Sequence, residues 1–457
     1  MAPRIVIIGG GSVQWVPKLL RDMANTPSLH ETEIVIEDID AASVPRMVAL
    51  AEHIAEIRQI PLTVRGTTDQ RDALRGADFV VVAVSTGGFA SMRHDLEIPV
   101  HYGIRQAIGD TVGPGGITRA LRNVPILVGM AKDMEEICPD AWVLNVTNPM
   151  TTLCRAVTGQ TSIKTVGLCH EITMTHFLLS LLLNVSYFDV DMTVVGVNHF
   201  PVITELRLAG EDGFARLTEL LQGGDDALNQ PLAMDLPEGI LHGGPIGQVW
   251  TKRDIVSHSQ IKLDIFQKFG VLPGAGDRHI AEFFADYITE ETDWGHRWGI
   301  KLVPIEVHEA SQVEHQADFA AEMASGEVSE WPSGEMVAPL IDSLITGTPR
   351  TLPLNIPNDG SVVDLPLEVV VETMCVVDDR GVRGRDKASL PPGLAEQLKV
   401  ISASQELTVQ AALSGRRDLV IEAMHADPLT GRMDAPQIEA LCDALLEATE
   451  AWLPQFA

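Results

Sequence analysis

The start of the chain carries the feature that most restricts its fold: an apolar run, then glycines, then a helical pattern. Residues 4–8 read Arg-Ile-Val-Ile-Ile, residues 9–12 read Gly-Gly-Gly-Ser, and a helical stretch follows from about Trp15 to Ala24. This order lets the backbone approach a pyrophosphate, with N–H donors at the helix N-terminus. Gln14 replaces the third glycine of the usual motif, so the glycines alone are weak evidence.

A second strand strengthens the prediction because it ends in an acid. Residues 33–37 are predicted to be a strand followed by Asp38, whose carboxylate would accept from a ribose 2′-OH and repel a 2′-phosphate, which favours NAD over NADP. Asp40 is the competing residue, and its alternative role is to cap the helix predicted over about 42–58. The predicted cofactor-binding residues are Gly9, Gly10, Gly11, Ser12, Asp38, Ser85 and Thr86.

Strands and helices alternate through the first two hundred residues. The runs at 79–84 and 141–146 are apolar throughout, which is typical of parallel strands covered on both faces. After about residue 200 helical patterns dominate, broken by Gly/Pro-rich loops at 223–247 and 325–360. One or two strands are expected within 362–377.

The predicted fold class is therefore α/β, with an N-terminal Rossmann-type, doubly wound parallel sheet and a second, mainly helical α+β domain. We expect an NAD-binding domain over 1–198. A domain for substrate, metal and oligomerisation is expected over 199–457, with the active site at the interface of the two.

Charge and composition exclude several classes of function. The chain has 63 acidic and 33 basic residues, and its net charge of −30 argues against nucleic-acid or anionic-membrane surfaces. No apolar run reaches the roughly 18–20 residues that span a bilayer, and none resembles a signal peptide, so we expect a cytoplasmic protein. Five widely spaced cysteines without a CxxC pair fit a reducing compartment.

Two short segments that follow apolar runs offer metal ligands. They are Gly-Leu-Cys-His-Glu at 167–171 and Gly-Val-Asn-His-Phe at 196–200. The thiol of Cys169 and the imidazole of His199 suit a borderline divalent cation and would leave positions open for substrate oxygens. A buried apolar role for Cys169 and a structural role for His199 weigh about equally with the metal site.

Two polar segments add candidate residues. The glycine-rich loop at 101–116 could contact a sugar or a phosphate, or act as a plain connector. The segment at 273–279 places Asp277, Arg278 and an imidazole together before an apolar helix, where Asp277 would also serve as an N-cap.

Together these residues resemble glycoside hydrolase family 4, the NAD- and divalent-metal-dependent glycosidases, and relatives such as the NAD-dependent sulfoquinovosidases. The resemblance covers nearly the whole chain, and its motifs are Gly9–Ser12, Asp38, Arg93-x-Asp95-x-Glu97, Gly109–Gly116, Asn145-x-Thr147-Asn148-Pro149, Cys169-His170, Asn198-His199, the segment from Leu365 to Glu372, and Asp427-Pro428-Leu429. It implies hydride transfer from C3 of the sugar to NAD, removal of the C2 proton, elimination of the aglycone, addition of water and return of the hydride. A divalent metal, expected to be Mn²⁺, would stabilise charge at O2 and O3.

The resemblance also implies roles for individual residues. It makes Cys169 and His199 metal ligands, His170 the general acid, and Asp110 a second acid or orienting group. Asp277 is the implied C2 base, because members that use a tyrosine carry it in a region where this chain has none. The implied substrate-binding residues are Asn148, Arg93 and Arg278.

The substrate is narrowed by the residue after the cysteine. Members acting on 6-phospho-sugars have Asn or Asp there, so His170 favours α-glucosides, α-galactosides, uronides or sulfoquinovosides. Arg278 and the run Trp-Gly-His-Arg-Trp at 294–298 could receive a carboxylate or sulfonate, and helix packing is an equal alternative for that run. The resemblance further implies a homodimer or homotetramer.

Two other functions compete with the glycosidase. A net dehydrogenase acting on a sugar or hydroxy acid would share the N-terminal domain and accumulate NADH, but it needs no Cys/His metal site. A non-catalytic NAD sensor would need neither metal ligands nor Asp277. The Cys169/His199 pair weighs against the dehydrogenase, and the density of polar motifs at strand ends disfavours the sensor.

Overall fold

The structure is a computed structural model that describes residues 3–234, 249–330 and 333–456. Its strands are β1 Arg4–Ile8, β2 Glu33–Glu37, β3 Thr63–Thr67, β4 Phe79–Val82, β5 Trp142–Asn145, β6 Lys164–Gly167, β7 Val190–Val197, β8 Phe200–Leu208, β9 Glu211–Asp212, β10 Leu272–Pro273, β11 Arg350–Pro357, β12 Val370–Asp378 and β13 Gly381–Gly384.

Its α-helices are α1 Val16–Ala24, α2 Val44–Arg58, α3 Gln70–Leu74, α4 Gly88–Glu97, α5 Gly113–Ile137, α6 Met150–Gln160, α7 Glu171–Leu182, α8 Gly213–Gln222, α9 Gly224–Leu228, α10 Lys252–Ser257, α11 Gln260–Phe269, α12 Asp277–Ala281, α13 Ile305–Ala324, α14 Val337–Thr346, α15 Pro392–Ser414, α16 Arg417–Ala426 and α17 Ala435–Ala448. No helix in these ranges has both the length and the apolar character that crossing a bilayer requires.

The larger sheet confirms the predicted Rossmann-type topology. Its strand order is β13-β12-β11-β6-β5-β4-β1-β2-β3, and β1 to β6 are parallel. The order reverses between β1 and β4, and ligands of such sheets bind at this switch point, outside the carboxyl ends of the strands. Ile5 and Ile7 face one core while Val6 and Ile8 face the other, as expected for a sheet covered by helices on both sides.

Three strands from the C-terminal half extend this sheet. They are antiparallel, and β11 joins β6 through the pair Asn355 and Gly167. The sheet therefore includes strands from both sides of residue 198. The division of the chain at 198/199 stays a prediction about its domains.

The second sheet is antiparallel, with the order β10-β8-β7 and β9 paired to β8. The predicted loop at 325–360 is wrong in part, because α14 and β11 lie within it. Apolar side chains such as Leu340 and Leu354 pack both elements into the core, which outweighs the local glycines and prolines. Of the predicted loop at 223–247, residues 235–247 lie outside the described residues.

Candidate active site

The glycine-rich loop follows β1 at the switch point of the large sheet. Gly9 has a φ of 77°, and a Cβ atom there would overlap the carbonyl oxygen of Ala83. Only glycine allows this close approach of the two strand-end loops. Ser12 accepts a hydrogen bond from the backbone N–H of Trp15 at 3.2 Å, in the turn that begins α1.

Asp38 lies beside this loop, as the sequence predicts. Its Oδ2 accepts from the backbone N–H of Gly11 at 2.8 Å, and its Oδ1 accepts from that of Asp40 at 2.8 Å. Asp40 turns away and accepts from the N–H of Ala42 at 3.0 Å, in the turn before α2. The structure thus gives the two acids different surroundings, and Asp38 is the one that touches the glycine loop.

Ser85 and Thr86 form the loop after β4, on the other side of the switch point. The backbone N–H of Thr86 donates to Asn123 Oδ1 at 3.1 Å. The side-chain amide of Asn123 donates to the backbone oxygen of Asn148 at 3.3 Å, and the Asn148 amide donates to Asp110 Oδ2 at 2.8 Å. A chain of hydrogen bonds therefore connects the predicted cofactor loop to the predicted catalytic residue Asp110.

Asp110, His199 and His279 form a group that could hold a metal ion. One ligand atom from each lies within 4.8 Å of the others. The loop before α5 positions Asp110, the turn between β7 and β8 positions His199, and α12 positions His279. The two imidazole rings stack with their centroids 3.7 Å apart.

Thr111 fixes the orientation of His199. Its hydroxyl donates to Asp110 Oδ1 at 2.7 Å, and its oxygen lies 2.7 Å from His199 Nδ1. Because the hydroxyl has a single proton, Nδ1–H of His199 is the donor in the second contact. Nε2 then keeps its lone pair, which is the form of histidine that binds metals.

Two members of this group, His199 and Asp110, differ in charge. Burial lowers the pKa of His199 to about 3, and the His279 imidazole lowers it as well, so the ring is neutral. Burial would raise the pKa of Asp110, but the positive Arg119 guanidinium and the hydrogen bond from Thr111 oppose burial and lower it, so the carboxyl is ionised. A neutral imidazole beside an ionised carboxylate is a suitable donor set for a divalent cation.

Cys169, the other predicted ligand, follows β6 and is buried. It is not in the three-residue group, but the side chain of Asn198, next to His199, lies beside its thiol. Burial raises the pKa of this thiol well above its usual range, and Glu372 and Glu171 raise it further. A thiolate at this position would need a nearby cation.

His170 lies between two carboxylates at the start of α7. Its Nδ1 is 3.4 Å from Glu335 Oε1, and its Nε2 is 3.8 Å from Glu171 Oε1. Burial lowers the pKa of His170, but the contacts with Glu335 and Glu171 outweigh burial and raise it to about 9. The imidazolium can therefore donate a proton, as the predicted general acid must.

Asp277, the predicted base, has a structural role in this geometry. Its two carboxylate oxygens accept from the backbone N–H groups of Ile261 and Lys262 at 2.7 and 3.1 Å, which caps α11. Burial raises its pKa to about 6 in spite of the Lys262 charge. The base role of Asp277 stays a prediction with this capping role beside it.

The two predicted substrate-binding arginines, Arg278 and Arg93, differ in whether their guanidinium groups already have ion-pair partners. Arg278 makes no hydrogen bond or ion pair among the described residues, and burial lowers its pKa, although Glu171 and Glu282 act in the opposite direction. Arg93 is paired with three carboxylates, Glu97 at 2.7 Å, Glu306 at 3.3 Å and Glu309 at 2.7 Å. The guanidinium of Arg278 is therefore free for a ligand, whereas that of Arg93 is engaged.

The aromatic run at 294–298 packs against neighbouring side chains. Arg105 lies over the Trp294 ring at 4.6 Å, and the Trp298 ring meets Tyr287 edge to face at 5.1 Å. The Tyr287 hydroxyl donates to Asp264 Oδ2 at 2.6 Å. These contacts favour the packing alternative for the run.

Sequence reasoning missed several residues of the site. His279 stood in a segment that the sequence singled out, but nothing local indicated that it would stack on His199. Glu335 lies in the region predicted as a loop, and Arg119 lies inside a helix, where it donates to the Asn148 backbone oxygen at 3.0 Å. These residues are recognisable only once the segments are brought together.

The donor set fits a divalent metal, and the loops at the switch point fit a dinucleotide. The buried Oδ1 of Asn148 has no hydrogen-bond partner among the described residues, as expected for an atom that meets a ligand. Asp110 and His199 would hold the metal, with His279 or Cys169 beside them. Gly9–Ser12 and Asp38 would hold the dinucleotide.

Known proteins resemble this chain over its whole length. An alpha-glucosidase of Erwinia rhapontici is 30% identical over 99% of both chains. An alpha-galacturonidase of Thermoanaerobacterium saccharolyticum is 30% identical over 98% of this chain and 96% of its own. The structure of lplD from Bacillus subtilis matches with a TM-score of 0.84 and 27% identity, covering 97% of this chain and 99% of its own.

A 6-phospho-alpha-glucosidase from gut microorganisms, solved in complex with NAD and Mn²⁺, shares the fold with a TM-score of 0.80 and 21% identity over 100% of both chains. Two family models also match: that of the family 4 glycosyl hydrolases covers residues 4–185, and that of their C-terminal domain covers residues 194–430. The chain therefore belongs to the family 4 glycosyl hydrolases.

Proposed function

We propose that this chain is an NAD- and Mn²⁺-dependent α-glycosidase whose substrate is a hexoside with an anionic group at C6, either a uronide or a sulfoquinovoside. The observation that carries the proposal is the hydrogen-bonded path from Thr86 to Asp110, because it connects the dinucleotide loops to the metal-binding group. Relatives named alpha-galacturonidase and a fold neighbour crystallised with NAD and Mn²⁺ support it.

Each residue of the site has a role in the reaction that follows from its position. When bound, NAD would remove and restore a hydride at C3, and the metal would polarise the sugar oxygens at C2 and C3. Asp110 and Asn148 orient these hydroxyls, and His170 protonates the leaving oxygen. Asp277 takes the C2 proton in this scheme, for which it must release one of its helix-capping contacts.

The free guanidinium of Arg278 supports an anionic substrate. A carboxylate or sulfonate would give it a charge-assisted partner that the described residues do not provide. Because the chain has a net charge of −30, an anionic sugar needs such a local cation. Neutral α-glucosides and α-galactosides would leave the guanidinium without that partner.

Turnover of nitrophenyl α-glycosides in D₂O with NAD and Mn²⁺ tests the proposal. The panel holds the glucoside, galactoside, glucuronide, galacturonide and sulfoquinovoside. We expect the highest kcat/KM on an anionic member, deuterium at C2 of the released sugar and no accumulation of NADH. A preference for neutral sugars would contradict the anionic group, and NADH build-up without cleavage would indicate a net dehydrogenase.

A further inference from the structure

The turn that carries His199 needs support from outside its own hairpin. Strands β7 and β8 pair as far as Val197 and Phe200, which leaves Asn198 and His199 as a two-residue turn. His199 has a φ of 65°, whereas Asn198 is not in the positive region. The favoured two-residue turns have a positive φ at the first residue, because their twist then matches that of the strands. Neighbouring elements must therefore hold this turn.

Glu372 on β12 is one of these neighbours. Its side chain is fully buried, and its Oε2 accepts from Asn198 Nδ2 at 3.2 Å. The backbone N–H of His199 donates to the same carboxyl. Thr151 on α6 accepts from the backbone N–H of Asn198 at 3.1 Å, so both residues of the turn are anchored.

The same carboxyl also acts on Cys169. The Asn198 amide that donates to Glu372 also lies beside the Cys169 thiol, so Glu372 sets the direction of that amide. Side chains that hydrogen-bond to metal ligands, without binding the metal themselves, commonly fix the orientation of those ligands and tune the affinity for the metal. Glu372 thus reaches both predicted ligands, one through a side chain and the other through the backbone.

We propose that Glu372 is a positioning residue that holds the Asn198–His199 turn and thereby aims the Cys169 thiol and the His199 imidazole at one divalent cation. The inference rests on the metal dependence given under the proposed function. It assigns a role in the site to β12, a strand contributed by the C-terminal half of the chain to the N-terminal sheet.

The test measures Mn²⁺ affinity directly, by electron paramagnetic resonance of free Mn²⁺ with NAD present and no substrate. Glu372→Leu replaces the carboxyl with an apolar side chain of similar size and removes its hydrogen bonds. We expect the affinity for Mn²⁺ to fall about 10–100-fold. Glu372→Gln keeps the acceptor oxygen and should restore wild-type affinity. The dissociation constant for NAD should be unchanged in both variants.

Thr373→Val is the matched control. Thr373 is the next residue on β12 and donates to the Val194 backbone oxygen at 2.8 Å, so its loss loosens the same strand without touching the turn. Equal Mn²⁺ affinity in Glu372→Leu and the wild type would overturn the inference. An equal fall in Thr373→Val would also overturn it, because the effect would then be general loosening of the strand.

Two further outcomes are decisive. If Glu372→Leu does not fold, Asn198→Ala removes the same side-chain contact, and unchanged affinity in that variant would overturn the inference. If the wild type itself does not bind Mn²⁺, the proposed function fails and this inference fails with it. Wild-type binding with no difference among the variants removes the inference alone.

Discussion

Two regions at the carboxyl edge of the large sheet contain buried carboxyl groups whose pKa values shift in opposite directions. At the end of β2, burial and the negative charges of Asp38 and Asp69 raise the pKa of Glu37 to about 7. In the cluster before α5, the Arg119 guanidinium and the Thr111 hydroxyl oppose the effect of burial and lower the pKa of Asp110. The two carboxyls differ in the positive charge that surrounds them.

This difference suits each region to its own ligand. Beside the glycine loop, Asp38 keeps carboxylate oxygens that would accept from ribose hydroxyls, while Glu37 at the end of β2 holds its proton up to about pH 7. In the cluster, the ionised Asp110 beside the neutral His199 presents a site for a cation. The fold thus separates dinucleotide recognition from metal chemistry by local charge, while Asn123 and Asn148 keep the two connected.

The largest expected effect comes from breaking the cluster alone. His199→Ala should lower kcat by roughly 10³-fold or more, because a metal provides several kcal/mol of charge stabilisation. The dissociation constant for NAD should stay within about twofold, since the glycine loop is untouched. His176→Ala is the control, because His176 stacks on Tyr187 away from the site. Wild-type turnover in His199→Ala would remove the cluster from the mechanism.

A third buried carboxyl, that of Asp95, forms an ion pair that is expected to stabilise the fold and not to take part in catalysis. Asp95 on α4 and Arg122 on α5 form a fully buried, bidentate pair at 2.5 and 2.9 Å. Asp95→Ala should lower the free energy of unfolding by about 3–5 kcal/mol, because it leaves the guanidinium buried without a partner. Urea denaturation measures this loss.

The control for that experiment is Asp418→Ala, which removes an exposed pair with Arg416 and should leave stability unchanged within error. A loss in Asp95→Ala no larger than in this control would show that the buried pair adds little. A lowered kcat in fully folded Asp95→Ala protein would instead connect the pair to the site.

A smaller effect is expected at the dinucleotide loop. Asp38→Asn should weaken NAD binding by about 10–100-fold, as expected for losing a hydrogen bond to a charged group. It should also reduce the preference for NAD over NADP, because a negative charge is lost. Isothermal titration with both nucleotides measures the change. Asp40→Asn is the matched control, and an equal effect there would make Asp40 the ribose ligand.

The smallest expected effect concerns Glu37 and pH. The folded chain keeps the Glu37 proton up to about pH 7, whereas the unfolded chain loses it near 4.5. Between these values the folded state binds more protons, so this group makes stability fall as pH rises. Glu37→Gln removes this loss of stability. The free energy of unfolding at pH 8 minus that at pH 4 should therefore be about 1–3 kcal/mol higher in Glu37→Gln than in the wild type. If Glu37→Gln changed the free energy of unfolding by the same amount at pH 4 and at pH 8, the pKa of Glu37 would not be raised in the folded chain.

Local sequence patterns were enough to predict the elements that depend on residues close together in the chain. The predicted strands at 4–8 and 33–37 are β1 and β2, and the glycine loop with Asp38 meets at the predicted edge of the sheet. Periodicity and turn chemistry act within about ten residues, so one sequence suffices to read them. The motifs also singled out Asp110, Asn148 and His199, which the structure brings together.

Which distant residues share the site became clear only from the folded structure. Thr111 meets His199 across 88 positions, and Asn198 meets Glu372 across 174. Such contacts depend on how strands and helices pair, so neither spacing nor composition encodes them locally. For the same reason the addition of β11–β13 to the first sheet and the stacking of His279 on His199 became visible only in the folded chain. The sequence predicted Asp277 as a possible cap of the helix that follows it, whereas in the structure it caps α11, and Gly276 precedes α12.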